Sequence, residues 1–417
     1  MLRAKHLRRM IDAAKRDKTI ANPAEFIKDE MKFQLSEGLK PSDYGLRDLF
    51  VNLVPDGREL LTDWEQRAES GMQIAESASA VTTADFALIA EQLLFTAVMD
   101  AYSRASLVGD QLVSPFQSDK QESEVIPGIA VVADEFDTPI PENKPYPLVG
   151  LHPSTVRLPA AEKRGGILAV SREMVIRDRT GLLHQRADSV GEALGLNKEK
   201  RIIDTVIGAD ASYVRKDEAR ATYADSAAGT NMGFDNLATE ILTDFTDIRL
   251  LDEQFNAISD PDINEPLDTV PTAIFCSRNL AWQVRSIIRN VKVLEQDAIV
   301  RAGGAREIIG ENAGNRIPFD LQIISSEHLV RRLIARTGDG GLTSGTRALA
   351  NAHWFFGNFK KAFVYKEIWA MTSEQAPANN EAQFNSDIWF RLKVSENGVP
   401  GVREPRVAIR SDGTVAS

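Results

Sequence analysis

The sequence predicts a mixed α+β fold in which a helical part, a long β arm and an α/β core follow one another. Three observations support this prediction. Apolar residues recur at helical spacing in the first quarter of the chain, a proline-rich and strand-prone stretch follows at 114–172, and helix and strand patterns alternate over 234–350. The 417 residues are long enough for two or three domains' worth of core.

The composition excludes several classes of protein. The chain carries 49 basic and 60 acidic residues, a net charge of -11, which argues against wholesale coating of nucleic acid. No run approaches 18 apolar residues, so no membrane-spanning helix is predicted. The single cysteine, Cys276, excludes an intramolecular disulfide and a cysteine-rich zinc site. The first residues lack the apolar region of a secretory signal, so we expect folding in a reducing cytoplasm.

Helices are predicted for most of residues 1–113. Residues 1–20 hold seven basic and two acidic residues, a local charge of +5. A helix is expected to start at Ser42 and to stop at Pro55. The strongest pattern, at 84–104, places apolar residues three and four apart along one face.

The β arm is predicted at 114–172. Its apolar runs are short and β-prone, and the prolines between them do not suit a central strand. Residues 118–142 carry seven acids and one base, whereas residues 143–172 carry five bases and one acid. Folded back as a hairpin, the two halves would attract each other. Such an arm has little core of its own and needs another surface to lie on.

The remaining chain alternates between helix and strand. A long helix is predicted over 180–207, followed by a polar excursion at 209–233. Helices at 234–258 and after Ser277, together with strands at 272–277 and 320–325, form an α/β unit. Strands dominate the last 67 residues, with a β-hairpin or bent ladder expected around Gly357-Asn358 and a turn at Asn397-Gly398.

Candidate sites of chemistry are weak. Residues 260–264 resemble half of a calcium loop but lack its glycine and glutamate, and the glycine-rich stretches 302–315 and 337–345 lack the lysine of a phosphate-binding loop. Cys276 lies in an apolar strand, which favours a buried, inert thiol over a nucleophile. His353, beside two aromatic residues, is interpreted as a core or rim residue. The residues therefore predict a non-enzymatic protein without metal or cofactor.

The order of five segments resembles a known family. They are GILAVSREMVIRD (166–178), SVGEALGLNKEKRIIDTVIG (189–208), TAIFCSRNLAWQVRSI (272–287), HWFFGNFKKAFVYKEI (353–368) and FNSDIWFRLKVSENGVPGVREPRVAI (384–409). Over roughly residues 84–417 this order is similar to that of the major capsid protein of tailed bacteriophages, the Hong Kong 97-type fold.

The resemblance implies a division of the chain. It comprises a helical extension and arm at 1–113, a β-hairpin E-loop at 114–172, a P-domain spine helix and insertion at 173–233, an A-domain at 234–350, and closing P-domain strands at 351–417. It further implies self-assembly into hexamers and pentamers of an icosahedral head that encloses double-stranded DNA. The expected location is the virion capsid, assembled in the host cytoplasm.

The resemblance also implies contacts. The E-loop would lie on a neighbouring subunit, with candidate contact residues Asp134, Glu135, Lys144, Arg157, Lys163 and Arg164. The basic terminus would face the genome through non-specific contacts of Arg3, Lys5, Arg8 and Arg9. Portal, scaffold or decoration proteins are further expected partners, and no cofactor or membrane is implied.

Three alternatives stay open at this point. An encapsulin-like shell would share the fold but hold an enzyme cargo. A cytoplasmic enzyme with an α/β domain at 234–350 would need a convergent set of titratable groups, which the sequence does not offer. A DNA-binding or tail-adaptor protein would require the basic terminus to dominate over the net negative charge.

Overall fold

The structure is a computed structural model that describes residues 46–53, 58–59, 61–62, 66, 90, 93–103, 107–128, 139–140, 142, 155–171, 174, 182–210, 213–215, 217–225, 234–259, 269–289, 320–375 and 388–413. The chain divides into two compact units with separate hydrophobic cores. The first unit comprises Met1–Ala105, Lys163–Asn197 and Trp369–Asn397, and the second comprises Ser106–Glu162, Lys198–Ile368 and Gly398–Ser417.

Helices and strands alternate through most of the described chain. The helices are α1 (Leu46–Leu53), α2 (Gly109–Leu112), α3 (Leu182–Val206), α4 (Phe245–Ala257), α5 (Arg278–Arg289), α6 (Glu327–Ala335), α7 (Arg347–Ala352) and α8 (Phe359–Ala362). The strands are β1 (Ser114–Gln117), β2 (Glu124–Pro127), β3 (Thr155–Leu158), β4 (Lys163–Ser171), β5 (Tyr213–Arg215), β6 (Glu218–Arg220), β7 (Leu237–Ala238), β8 (Ala273–Ser277), β9 (Gln322–Ser326), β10 (Trp354–Gly357), β11 (Phe363–Gln375), β12 (Ile388–Val402) and β13 (Ala408–Ser411).

A five-stranded sheet forms the centre of the second unit. Its spatial order is β7-β13-β10-β8-β9. β10 is antiparallel to both β8 and β13, whereas β8 and β9 are parallel. Every residue of β8 and β10 is buried. Strands covered on both faces read as continuous apolar runs, which is why the sequence identifies them without alternation.

Short polar side chains set the helix starts around this sheet. The Oγ of Ser277, at the end of β8, accepts a hydrogen bond from the N–H of Leu280 at 3.2 Å, as the sequence predicts. Ser326 caps α6 in the same way. Asp244 and Asp247 form a capping box at the start of α4. These caps fix where each strand gives way to its helix.

A four-stranded sheet in the second unit has the order β2-β3-β5-β6. All of its pairings are antiparallel, and β2 pairs with β3 from Glu124 opposite Leu158 to Pro127 opposite Thr155. This pairing joins the two halves of the predicted β arm at its base. β5 and β6 add two strands within residues 209–233, where the sequence predicts only a polar excursion.

The first unit packs helices against strands. Its described elements are α1, a helical segment at 93–102, the first part of α3, β4, and parts of β11 and β12. The predicted helices at 84–104 and 180–207 are confirmed in these residues. Its core is aliphatic and includes Leu46, Phe50, Leu93, Leu94, Val98, Leu183, Leu392 and Val394.

The hairpin predicted around Gly357-Asn358 and the turn predicted at Asn397-Gly398 are wrong. β10 ends at Gly357, but the chain then enters α8, where the side-chain oxygen of Asn358 accepts a hydrogen bond from the N–H of Lys361. β10 pairs with β8 and β13 and forms no hairpin with β11. Asn397 and Gly398 lie inside β12, where the neighbouring ring of Tyr365 leaves no room for a side chain at Gly398. Long-range packing thus overrides the local turn chemistry.

Two further expectations are corrected. The helix predicted over 234–258 begins at Phe245, because Leu237 and Ala238 form β7 beside β13. The β-prone run 167–170 pairs with β12, and within the part of the chain that the structure describes it has no pairing with the outgoing half of the arm. The strand predicted at 272–277 and the helix after it are confirmed.

We expect Gly191→Ala to destabilise the first unit by about 1–2 kcal/mol. A Cβ atom at this position of α3 would overlap the carbonyl oxygen of Val98, and overpacking of this kind costs about 1–3 kcal/mol, offset in part by the better helix propensity of alanine. Chemical denaturation measures the change. Gly166→Ala is the matched control, since a Cβ there meets no atom within 4 Å. Equal stabilities of the two variants would contradict the close packing.

Candidate assembly surfaces

The base of the β arm is a regular two-stranded ladder on a buried support. Ile126, Val156 and Leu158 are buried in the core of the second unit, whereas Val125 is 54% exposed. This alternation follows from the two-residue period of a strand with one covered face. The ladder therefore holds Pro127 and Thr155, which flank the segment between β2 and β3, opposite each other.

A buried lysine holds the outgoing half of the arm. The side chain of Lys366, on β11, is fully buried, and its Nζ donates a hydrogen bond to the carbonyl oxygen of Glu122 at 2.7 Å. The same Nζ lies 3.6 Å from the Oε2 of Glu124. The hydroxyl of Ser118 donates to Glu124. That hydrogen bond and the charge of Lys366 outweigh desolvation and lower the pKa of the Glu124 carboxyl.

Arg157 is one of the described candidate contact residues in the returning half of the arm. Its guanidinium lies 2.5 Å from the carboxylate of Asp217, in the turn between β5 and β6. Both side chains are exposed, so the pair contributes little to stability. Arg157 is thus held within its own sheet.

Two more candidates, Lys163 and Arg164, begin β4 in the first unit. The Nζ of Lys163 lies 5.6 Å from the ring centroid of Trp369, which is a cation–π distance. Arg164 stands opposite Glu396 in the β4–β12 register. The hydroxyl of Tyr102 donates to that glutamate at 2.6 Å. Both bases therefore have neighbours inside the subunit.

The described candidate contact residues are divided between the two units. Arg157 belongs to the second unit, whereas Lys163 and Arg164 belong to the first. The other candidates lie outside the described residues, and their roles stay predictions: Asp134, Glu135, Lys144, Arg3, Lys5, Arg8 and Arg9. The calcium-like residues 260–264 and the glycine-rich residues 302–315 also lie outside them.

The charged groups that are buried in the second unit are not predicted from the sequence. Glu199, on α3, accepts hydrogen bonds from the N–H groups of Val108 and Gly109, and burial raises the pKa of its carboxyl despite these bonds. Lys366 was missed as well. The sequence indicates it in one way: a lysine interrupts the otherwise apolar and aromatic start of β11, where a buried charge needs a partner.

The groups considered for catalysis lie in the core. Cys276 is buried, and its burial raises the pKa of the thiol to about 12, which keeps the thiol protonated and inert at neutral pH. The Nδ1 of His353 lies 2.8 Å from the carbonyl oxygen of Leu349, and the residue is fully buried. Among the described residues, no group of three or more His, Cys, Asp or Glu is placed to hold a metal ion. Within the same residues, no helix is long and apolar enough to span a membrane.

Replacing Lys366 by Met should loosen the base of the arm. The change removes the donor to the carbonyl oxygen of Glu122 and the positive charge beside Glu124, and a hydrogen bond that involves a charged group contributes about 1.5–3 kcal/mol. Hydrogen exchange of residues 118–127 is the measurement, and we expect it to accelerate. Lys360→Met changes an exposed lysine nearby and is the control. Unchanged exchange in Lys366→Met would rule out the anchoring role.

A second variant, Asp412→Asn, should show a pH-dependent loss of stability. Burial raises the pKa of Asp412, but hydrogen bonding to His353 and the charge of Arg410 overcome this and lower it below the ordinary 3.8. A carboxyl with a lowered pKa stabilises the fold above its unfolded pKa and loses this effect as the pH falls through its folded pKa. We therefore expect the variant to be about 2 kcal/mol less stable above pH 4, because Arg410 is buried beside it.

Urea denaturation of wild type and Asp412→Asn between pH 2.5 and pH 7 tests this expectation. The difference in the free energy of unfolding should be constant above about pH 4 and shrink below it. A difference that grows as the pH falls would contradict the assignment.

Comparison with known proteins places the chain in a family. The family model described as phage capsid protein matches residues 155–411, which is more than half of the chain. No curated protein is significantly similar to the chain in sequence.

Solved structures of capsids are similar at low identity. The capsid of cyanophage P-SCSP1u shares 15% identity over 72% of this chain and 85% of its own, with a TM-score of 0.41. The capsid of cyanophage Pam1 shares 12% over 75% and 86%, with a TM-score of 0.41. The capsid of a native GTA particle shares 9% over 74% and 90%, with a TM-score of 0.43.

The match of the family model starts at β3 and ends with β13, so it includes α3 and the whole five-stranded sheet. The described elements also follow one another in the order that the Hong Kong 97-type resemblance implies. The predicted α+β capsid fold is thereby confirmed. The chain belongs to the phage capsid protein family.

Proposed function

We propose that copies of this chain assemble into pentamers and hexamers, that these close an icosahedral head, and that the head encloses double-stranded DNA. The observation that carries the proposal is the match to the capsid family over residues 155–411. Capsid proteins act through self-association, and a closed shell multiplies weak contacts between subunits by avidity. The proposed role is structural, in the virion, with assembly in the host cytoplasm.

The predicted division of the chain gives each part a role in this proposal. The arm at 114–172 would be the E-loop that lies on a neighbouring subunit, and residues 234–350 would form the A-domain. The pairing of β2 with β3 at the base of the arm suits a projecting hairpin, because such a hairpin needs fixed ends. The charged candidates in the arm would meet residues of the neighbour.

The basic terminus supports the genome part of the proposal. Residues 1–20 carry a local charge of +5 in a chain of net charge -11. Contacts of Arg3, Lys5, Arg8 and Arg9 with phosphates would be independent of DNA sequence and sensitive to salt. Portal, scaffold and decoration proteins are further proposed partners.

An encapsulin-like compartment is not favoured, because the matched family is one of phage capsid proteins. Such a compartment would enclose a cargo enzyme in place of DNA. The enzyme alternative finds no support in Cys276 or His353, since both are buried in the core.

Negative-stain electron microscopy of the purified chain, with light scattering for mass, tests the proposal. We expect closed particles tens of nanometres across, or rings of five and six subunits. Nuclease-protected double-stranded DNA in particles from infected cells would support the genome part, whereas a co-purified enzyme would favour the compartment. A chain that remains monomeric or dimeric at high concentration and across salt conditions, with and without scaffold, would overturn the proposal.

Lys163→Glu should reduce the yield of shells while leaving the subunit folded. The side chain is exposed at the start of β4, and an exposed cation–π contact with Trp369 is worth only about 0.5–1 kcal/mol to the fold. Reversal of Arg164 as well should strengthen the defect, although it also places two acids opposite each other at Glu396.

Sedimentation of particles and circular dichroism of the soluble fraction measure the two effects. Lys360→Glu, an exposed lysine on α8, is the control for the change in net charge. Normal shells from Lys163→Glu would remove the case for the base of β4 as an interface.

A further inference from the structure

The five-stranded sheet of the second unit ends at two chemically different edges. β9 forms one edge, and α5 packs against β9 and β8. β7 forms the other edge, and α4 packs against the neighbouring strand β13. Each helix therefore presents a flank near one end of the same sheet.

The flank of α5 is basic and aromatic. The Nε2 of Gln283 donates a hydrogen bond to the carbonyl oxygen of Thr243 at 3.3 Å, so this side of α5 faces the start of α4. Successive residues are about 100° apart around a helix, which places Trp282 on the flank away from α4. Arg278 and Arg285, at spacings of four and three from Trp282, share this flank and are also exposed.

Trp282 is 74% exposed, the largest exposed fraction among the large apolar side chains of the described residues. Tryptophan and arginine are enriched at the centres of protein interfaces, where they carry most of the binding energy. Because the indole of Trp282 stays in water in the free subunit, the free energy of burying it is gained only when a partner covers it. The flank thus has the composition of a contact surface.

A groove extends the basic character beyond Arg278. It has a volume of about 440 Å³, and its lining includes Arg278, Asn279, Arg331, Ile334, Arg347 and Asn351. Glu327 also lines it and is paired with Arg278. Among the described residues no carboxylate forms an ion pair with Arg331 or Arg347, so the groove retains an excess of positive charge.

The opposite edge is acidic and aliphatic. The Nε2 of Gln254 donates to the carbonyl oxygen of Leu237 at 3.3 Å, so this flank of α4 faces β7. Leu250 lies one turn earlier on the same flank and is 41% exposed. The Oδ1 of Asp235 accepts a hydrogen bond from the N–H of Leu237 in β7 at 3.2 Å, and the next residue, Asn236, accepts one from the N–H of Ala224, so Asp235 and Asp225 both lie beside this edge.

We propose that the α5 flank of one copy packs against the β7 edge of the next copy, with Trp282 on Leu250 and the arginines facing Asp225 and Asp235. Two copies of the same basic flank would repel each other, which disfavours a symmetric dimer. A contact between different surfaces repeats head to tail and closes into a ring when the rotation permits. The inference rests on the proposed function and assigns the surfaces that meet within a capsomer.

DNA is the competing ligand for an arginine-rich flank. The exposed indole and the presence of Glu327 favour a protein partner, since a carboxylate repels phosphates. If variants of the α5 flank form rings normally but no longer retain DNA, the flank contacts the genome and the proposal is overturned.

Trp282→Ala in the full chain is the first test, and we expect subunit association to weaken at least 30-fold, as loss of an interface hot spot does. Light scattering over a concentration series measures the association, and the thermal unfolding of the free subunit shows that the fold is intact. Arg285→Glu should weaken association in the same direction. Lys360→Glu, an exposed lysine on α8 outside both proposed surfaces, is the control for added negative charge and should leave association unchanged.

Cross-linking identifies the partner surface directly. Cys276 is buried, so a variant with Arg285→Cys and Leu250→Cys offers two reactive thiols. A short bismaleimide should link neighbouring copies into ladders up to five and six chains, whereas each single variant should give at most dimers. If the wild-type chain forms particles but the double variant gives no cross-linked ladders, this contact is overturned and the proposed function stays intact. Absence of any wild-type assembly would contradict both.

Discussion

The second unit depends on the burial of one short strand, β10. All four of its residues are buried, and it hydrogen-bonds to β8 on one side and to β13 on the other. The indole N–H of Trp354 is satisfied by the carbonyl oxygen of Glu240 at 2.9 Å. Gly357 has a φ of +142°, and a Cβ there would overlap the carbonyl oxygen of Val407. Only glycine therefore ends this strand without displacing the chain that leads into β13.

Buried ion pairs surround this strand and tie distant segments to it. Glu404 and Arg406 are both almost fully buried and form two hydrogen bonds, at 2.6 Å and 2.7 Å. Arg410 donates to Asp412 at 2.9 Å and to the carbonyl oxygen of Ile207 at 3.2 Å. Burying such charges is costly unless every donor and acceptor is matched. These ion pairs are therefore compatible with few alternative arrangements of the chain. This favours a single well-defined subunit, which repeated assembly into one shell requires.

The sequence predicted the elements that local chemistry controls. The long helix α3, the strand β8 and the cap at Ser277 follow from periodicity and short polar side chains. The turn at Asn397-Gly398 failed because β12 continues through it, with Asn397 buried, and no local pattern reports that pairing. Arg157 acquired its partner Asp217 from a segment 60 residues away, and nothing in the sequence near either residue indicates the pair. The capsid family could be predicted from the order of the elements, because that order is recognisable even where no single motif is diagnostic.

The account separates a core that folds within each subunit from surfaces that gain partners on assembly. Hydrogen exchange compared between free subunits and assembled particles tests this most directly. The account predicts that β8 and β10 are strongly protected in both states, whereas residues 278–289 gain further protection in particles. Protection of β10 that appears only on assembly would contradict the account, as would surfaces whose exchange is the same in both states.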